Sequence, residues 1–324
     1  MHRRGVLCAA FAVALGFAAM PAQAQLGEKP VRIVFPYAAG GAGDALARLL
    51  AEELRKGLNR PVIVENKTGA AGRLGVLEVV KAAKDGDTIL LTPIAPTAVH
   101  QHVFDDLPYN PDKDLVPVTQ VAKFEFGIGV APEVPAKNLK ELVAWMKANP
   151  TKTSFGSPGA GALPHFFGIL FGKAAGVEMV HVGYRGSAIA LVDVLAGQIP
   201  MIVTTTSDLL GSHKAGKIRI LATSDSVRSP LVPDVPTFKE SGYDIVGTSW
   251  YAVYAPAGTP DAIVQRYAKI FSEALKKPEL QKRLLELGLY ATGTTPEEIA
   301  KIHKQDSAFW GEAVKISGFK AGKQ

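Results

Sequence analysis

Val31-Arg32-Ile33-Val34-Phe35-Pro36-Tyr37-Ala38-Ala39-Gly40-Gly41-Ala42-Gly43-Asp44 begins as an apolar run rich in β-branched residues and breaks into a glycine-rich turn. The run predicts a strand over 31–35. After the turn, Leu46, Leu49, Leu50, Leu54 and Leu58 recur at helical spacing and predict a helix over 44–58. Outward from there the succession repeats: strand 61–65, helix 73–84, strand 88–92, and then a long extended segment over 116–130. A second series follows, with helices expected over 139–148, 164–175 and 187–196 and strands over 153–156, 179–184, 201–205 and 218–223. A returning strand over 249–255 precedes helices near 260–277, 279–287 and 296–315. Alternation of this kind argues for an α/β fold with mostly parallel strands flanked by helices.

The segments 116–130 and 244–250 read as two crossings between lobes. They predict a discontinuous domain 1, made of 25–124 plus 248–324, and a domain 2 of 125–247. The C-terminal helices would pack back on the first lobe, and the pair would hinge about a cleft.

The chain has 324 residues, 47% hydrophobic and 20% charged, a globular composition of a length that suits two domains. Its first residues stand apart. Met1-His2-Arg3-Arg4 is basic, 5–20 carry no charge, and Ala22-Gln23-Ala24 after Pro21 gives a small-x-small pattern. These features predict an export signal cleaved after Ala24, the general secretory route over a twin-arginine one, and a periplasmic mature chain. The only cysteine, Cys8, lies inside that signal, so the mature chain holds none, which excludes thiol catalysis, disulfides and cysteine-ligated metal. Losing Arg3 and Arg4 takes Lys+Arg from 36 to 34 against 30 acids, and the net charge from +6 to +4. The basic residues are scattered over helix faces, so no nucleic-acid partner is expected.

Four glycine-rich turns stand where a strand gives way to a helix. The first holds Tyr37, Ala38, Ala39, Gly40 and Gly41 ahead of Asp44, and the second holds Ala70, Ala71 and Gly72. The third, in the other lobe, runs from Ser157 through Gly159 and Gly161 to His165; the fourth is Tyr184-Arg185-Gly186-Ser187. Glycine lets a backbone approach a ligand closely, and free N–H groups at a helix start attract an anion. Ligands of open α/β sheets bind beyond the carboxyl ends of strands, where these turns lie. One such turn is an ordinary steric feature, but four split between two lobes predict an anion site in the cleft. Thr205, Thr206, Ser207 and Asp208 add polar groups after 201–205, with Ser207 or Asp208 equally suited to be a plain N-cap. Thr97 is the analogous candidate in the first lobe. Arg185 either reaches the cleft or lies on the turn's surface, and His165 either faces a ligand or faces solvent.

Catalytic motifs are incomplete. Lys67-Thr68-Gly69 matches one penicillin-binding motif without its Ser-Asp-Asn companion, and Ser157 lacks nucleophile-elbow spacing. No dinucleotide or phosphate-loop motif follows a strand. His100-x-His102 near Asp105 and Asp106 lacks a third partner, so neither a metal nor a cofactor is expected. Tyr37, Phe166, Phe167 and Trp250 would suit an aromatic carboxylate, though the same residues occur with aliphatic ones.

The stretch 31–41, Val64-Glu65-Asn66-Lys67-Thr68-Gly69-Ala70-Ala71-Gly72, Val182-Gly183-Tyr184-Arg185-Gly186-Ser187, and Trp250 through Ala255-Pro256-Ala257-Gly258-Thr259-Pro260 together resemble the Bug-type periplasmic solute receptors. These are the substrate-binding components of tripartite tricarboxylate transporters. The resemblance runs from the signal peptide to the C-terminal helices. It implies a two-lobe Venus-flytrap fold, type II-like, with a ligand carboxylate against the first two glycine turns and no enzymatic role. It also implies a small di-, tri- or aromatic carboxylate as ligand and integral membrane permease subunits as partners; a monomer is expected. Ala42-Gly43 departs from the family's commoner proline, or serine and threonine, before the aspartate, which leaves open what caps the first helix. Two rivals stand beside this reading: an exported α/β hydrolase using Ser157 or His165, and a receptor that presents its ligand to a sensor kinase.

Overall fold

The structure is a computed structural model that describes residues 29–317 and 319; the expected export signal over 1–24 lies outside them. The chain opens with β1 (Val31–Phe35), α1 (Ala42–Leu58), β2 (Val62–Asn66), α2 (Arg73–Val80) and β3 (Thr88–Pro93). Two one-turn helices, α3 (His100–Val103) and α4 (Pro111–Asp114), lead into β4 (Leu115–Val130), a strand of 16 residues. The second series is α5 (Leu139–Ala148), β5 (Ser154–Ser157), α6 (Leu163–Ala175), β6 (Val180–Gly183), α7 (Ser187–Leu195), β7 (Met201–Thr205), α8 (Thr206–Lys214) and β8 (Arg219–Thr223). β9 (Thr248–Pro256) returns, followed by α9 (Asp261–Leu275), α10 (Pro278–Glu286), β10 (Tyr290–Ala291) and α11 (Pro296–Ser317).

Strand order is β2-β1-β3-β9-β4-β7-β5-β6, with β8 and β10 also paired to β4. The expected parallel pairing holds for β2-β1-β3 and for β6-β5-β7. At the centre the pairing is antiparallel: β9 against β3 and β4, and β4 against β7 and β8. Connectivity requires this. A chain that leaves one lobe on β4 and comes back on β9 runs in opposite directions on the two strands.

β4 changes partners along its length. Leu115 to Glu125 face β9, whereas Phe126 to Val130 face β7 and β8. The junction is stitched by Ser224, whose hydroxyl accepts from the Phe126 N–H at 2.9 Å and donates to the Gly247 carbonyl at 2.6 Å. Its backbone repeats the pattern, donating to the Phe126 carbonyl and accepting from the Gly247 N–H, both at 2.8 Å. Outgoing and returning chains therefore pass side by side between the two lobes of the sheet.

Helix α1 buries Leu46, Leu50 and Leu54 completely and stops at Asn59, whose left-handed φ of 53° closes the helix. Each such leucine contributes about 1.5–3 kcal/mol on burial. Helix α9 lies against α1, close enough that a Cβ at Gly57 would meet Ile270 at 2.7 Å. Helix α11 packs on β4 and also touches α6, with Trp310 edge-on to Phe167 at 5.9 Å. One C-terminal helix thus bridges the lobes and is not confined to the first.

Candidate functional site

Between the lobes, the ends of β1, β3 and β7 and the starts of α1, α6 and α7 enclose about 560 Å3 of empty space, its mouth included. Tyr37, Ala38 and Gly41 line it from the first lobe, and Gly186, Thr205 and Asp208 from the second. Six of the residues singled out in the sequence are therefore brought together across one cleft. The lobes also touch directly: the Ala38 N–H donates to the Arg185 carbonyl at 3.1 Å, and the Ala42 N–H donates to Asp208 Oδ1 at 2.8 Å.

The second of these contacts answers how the first helix is capped. Gly41 is the N-cap and offers no side chain, so the first-turn N–H groups of α1 lack partners of their own. Asp208 supplies one from the other lobe, while its Oδ2 accepts from the Thr204 hydroxyl at 3.2 Å. It is free to do so because Thr205, not Asp208 or Ser207, caps α8: the Thr205 hydroxyl accepts from the Asp208 N–H. A negative charge at this end also complements the helix dipole. Asp44 turns the other way. Burial pushes its carboxyl up, but hydrogen bonds from Arg48, the Gly40 N–H and Asn66 bring it below the usual carboxylate range. Gly43 accounts for the unusual Ala42-Gly43 pair, because a Cβ there would lie 2.8 Å from the Tyr251 hydroxyl and collide with the Phe35 ring.

The second glycine turn is strained. Gly69, Ala70, Ala71 and Gly72 have φ of 133°, 46°, 55° and 93°, so two alanines sit in the left-handed region at about 1–2 kcal/mol each. The turn is held by the Tyr37 hydroxyl, which donates to the Ala71 carbonyl at 3.2 Å, and by Arg73 Nε, which donates to Ala70 at 2.9 Å. Ala70, Ala71 and Gly72 line an outer mouth of the cleft together with Tyr184 and Arg185. Strain held in place at the rim of a cleft is a mark of function.

Other candidates fall elsewhere. Ala39 and Gly40 are exposed at the rim. Arg185 meets the other lobe through its carbonyl, and its side chain is exposed at the outer mouth. The Tyr184 hydroxyl donates to Asp193 at 2.7 Å. Gly159 abuts Ala71 closely across the lobes, Thr206 is buried under β4 beside Gly127, and Ser207 bonds Thr205. Thr97 is buried in a π-helical turn, 95–99, and donates to the Ile94 carbonyl. His100 and His102 fall on α3: His100 is buried edge-on to Phe104, and His102 bonds Ser307.

Ser157 and His165 sit behind the cleft wall. Ser157 is fully buried, and its hydroxyl lies 2.7 Å from Nε2 of His181, a residue the sequence reading passed over. His165 stacks on His181 at 3.8 Å and accepts from the Gly161 N–H at 3.1 Å. Burial lowers both rings, to about 3 for His165 and about 4 for His181. Pro158, Ala162, Leu163 and Pro164 separate this group from the cavity. Phe166, Phe167 and Trp250 are core as well, Trp250 donating to Asp306 at 2.6 Å. Of the four aromatic candidates only Tyr37 lines the cavity, and the rest of its aromatic lining comes from Phe35, Phe124, Phe126 and Tyr251. Phe124 and Phe126, two apart on β4, share one face, a spacing the sequence displays.

Two lobes joined by crossing strands around a cleft, with a helix N-terminus aimed into it, define a solute-binding protein of the hinged type. The family model described as "Tripartite tricarboxylate transporter family receptor" matches residues 46–319, and the chain belongs to that family. Among solved structures it is similar to the periplasmic binding protein BugD, with 33% identity, 91% of this chain and 99% of that chain covered, and a TM-score of 0.87. Two Rhodopseudomonas palustris proteins are similar as well. Rpa4515, solved with adipate, is 27% identical with a TM-score of 0.87, covering 90% of this chain and 98% of that one. MatC, solved with bound malate, is 28% identical with a TM-score of 0.84, covering 88% and 98%. No helix of the described residues is long and apolar enough to cross a membrane.

Proposed function

We propose that this protein is a periplasmic receptor, a monomer exported and cleaved after Ala24, that captures a small carboxylate in the interlobe cleft and delivers it to membrane permease subunits. Domain 1 comprises 25–124 plus 248–324 and domain 2 comprises 125–247, and the pair closes on the ligand without turnover. The observation that carries this reading is the start of α1. Its first-turn N–H groups open at the cleft wall formed by Gly41 and Gly43, and an opposing carboxylate, Asp208, already occupies one of them. The malate and adipate bound by similar proteins support a carboxylate as ligand. Calorimetry with mono-, di- and tricarboxylates tests it. Saturable, stoichiometric binding with unaltered ligand recovered afterwards is expected; no saturable binding, or chemical conversion of the ligand, overturns it.

A further inference from the structure

The cleft lining divides into two chemistries. One end is polar: the α1 start at Gly41, with the Ser187 hydroxyl and Asp208 close by, such that a Cβ at Gly41 would lie 3.1 Å from the former and 3.4 Å from the latter. The other end is an aromatic wall. Phe124 stacks on Tyr251 at 4.6 Å, Phe35 stands 6.3 Å from Tyr251, and Phe126 meets Phe124 edge-on at 5.5 Å. The two ends adjoin, since Gly43 of α1 packs directly on Phe35 and Tyr251. Leu163 and Pro164 complete the apolar part. Among the lining residues the single charged side chain is Asp208, an acid; no lysine, arginine or histidine lines the cavity.

We infer, on the reading of the cleft as a carboxylate site, that its ligand is a monocarboxylate with a planar apolar body, an arene carboxylate of about benzoate size. The carboxylate lies at the start of α1 and the ring lies along the Phe124–Tyr251 face. A second carboxylate would be pressed against the negative faces of aromatic rings with no cation to pair it, a costly burial. A flat ring, in contrast, gains offset-stacked or edge contacts with rings already in place.

Calorimetry on the mature protein with benzoate, benzamide, cyclohexanecarboxylate, malate and adipate tests the inference. Benzoate is expected to bind at least tenfold more tightly than malate or adipate, and at least tenfold more tightly than benzamide, its uncharged isostere. Tighter binding of malate or adipate than of benzoate overturns the arene assignment and leaves the carboxylate reading standing. Failure of every carboxylate to bind overturns both. Phe124→Leu, checked for folding by its melting curve, should lower benzoate affinity at least fivefold and cyclohexanecarboxylate affinity less. Equal losses for the two ligands, or none, would count against stacking; the ligand panel on the unmodified protein decides the matter if the variant does not fold.

Discussion

The carboxylate of Asp208 caps a helix that belongs to the opposite lobe, so one side chain links helix capping to the closed arrangement of the molecule. Asp208→Ala leaves the Ala42 N–H without that acceptor and should destabilise the closed form by about 1 kcal/mol, a typical value for a lost cap. Ligand affinity measured by calorimetry should then fall about fivefold; an unchanged affinity would show that the bond does not favour closure. Gly41 tests the same junction from the other side. Its φ of −88° suits any residue, so space and not backbone freedom sets the effect of substitution. The branched side chain of Gly41→Val would meet Ser187 and Asp208 and hold the lobes apart. Binding should weaken more than tenfold while the melting temperature of the ligand-free protein stays within a few degrees.

At the scale of elements, β4 and β9 carry the connection between lobes, and Ser224 holds them where they pass. Its hydroxyl satisfies two backbone groups, one on each crossing chain, and the residue is fully buried. Ser224→Ala orphans one donor and one acceptor away from water and should cost about 1–3 kcal/mol, read as a lower urea midpoint. Helix α11 works behind the same region. Trp250 of β9 bonds Asp306 on α11, and Trp310 packs on Phe167 of α6, so α11 touches both lobes across the hinge.

For the whole molecule the expected motion is closure. A ligand held by turns from both lobes binds the closed form better than the open one and must shift the population toward it. Small-angle scattering should show a smaller radius of gyration with saturating ligand; superimposable curves would contradict the flytrap mechanism. Acid should act on folding itself. Burial holds His100 and His165 near pKa 3 and His181 near 4, against 6.5 for an exposed ring. Above pH 6.5 both the folded and unfolded rings are neutral and pH has no effect through them. Below it the unfolded chain takes up protons that the folded one excludes, so stability falls until the folded pKa values are reached. The loss is on the order of 1–2 kcal/mol per ring by pH 5. Melting temperature should drop between pH 7 and pH 5, and less so in His165→Phe or His181→Phe; a flat profile would mean that these rings take up protons as readily in the fold as in the unfolded chain.

Local pattern alone determined much here. β-branched runs and leucines at helical spacing place β1, α1 and the second series within a few residues, because period and turn chemistry are written in neighbouring residues. The glycine turns that end the strands were legible for the same reason. What tertiary structure decided are contacts between residues far apart in the chain. Asp208 reads equally as a cleft contact and as an N-cap of its own helix, until Thr205 takes the cap and the fold brings α1 across to Asp208. Ser157 and His165 read as cleft residues, but β5 turns the first and α6 the second inward onto His181, a packing outcome no local signal encodes. The aromatic wall came from Phe124 and Phe126 in place of Phe166 and Phe167, because which face of a strand or helix meets the cleft depends on how the lobes dock. Sequence period fixes the faces of each element; only the assembled lobes choose which face lines the site.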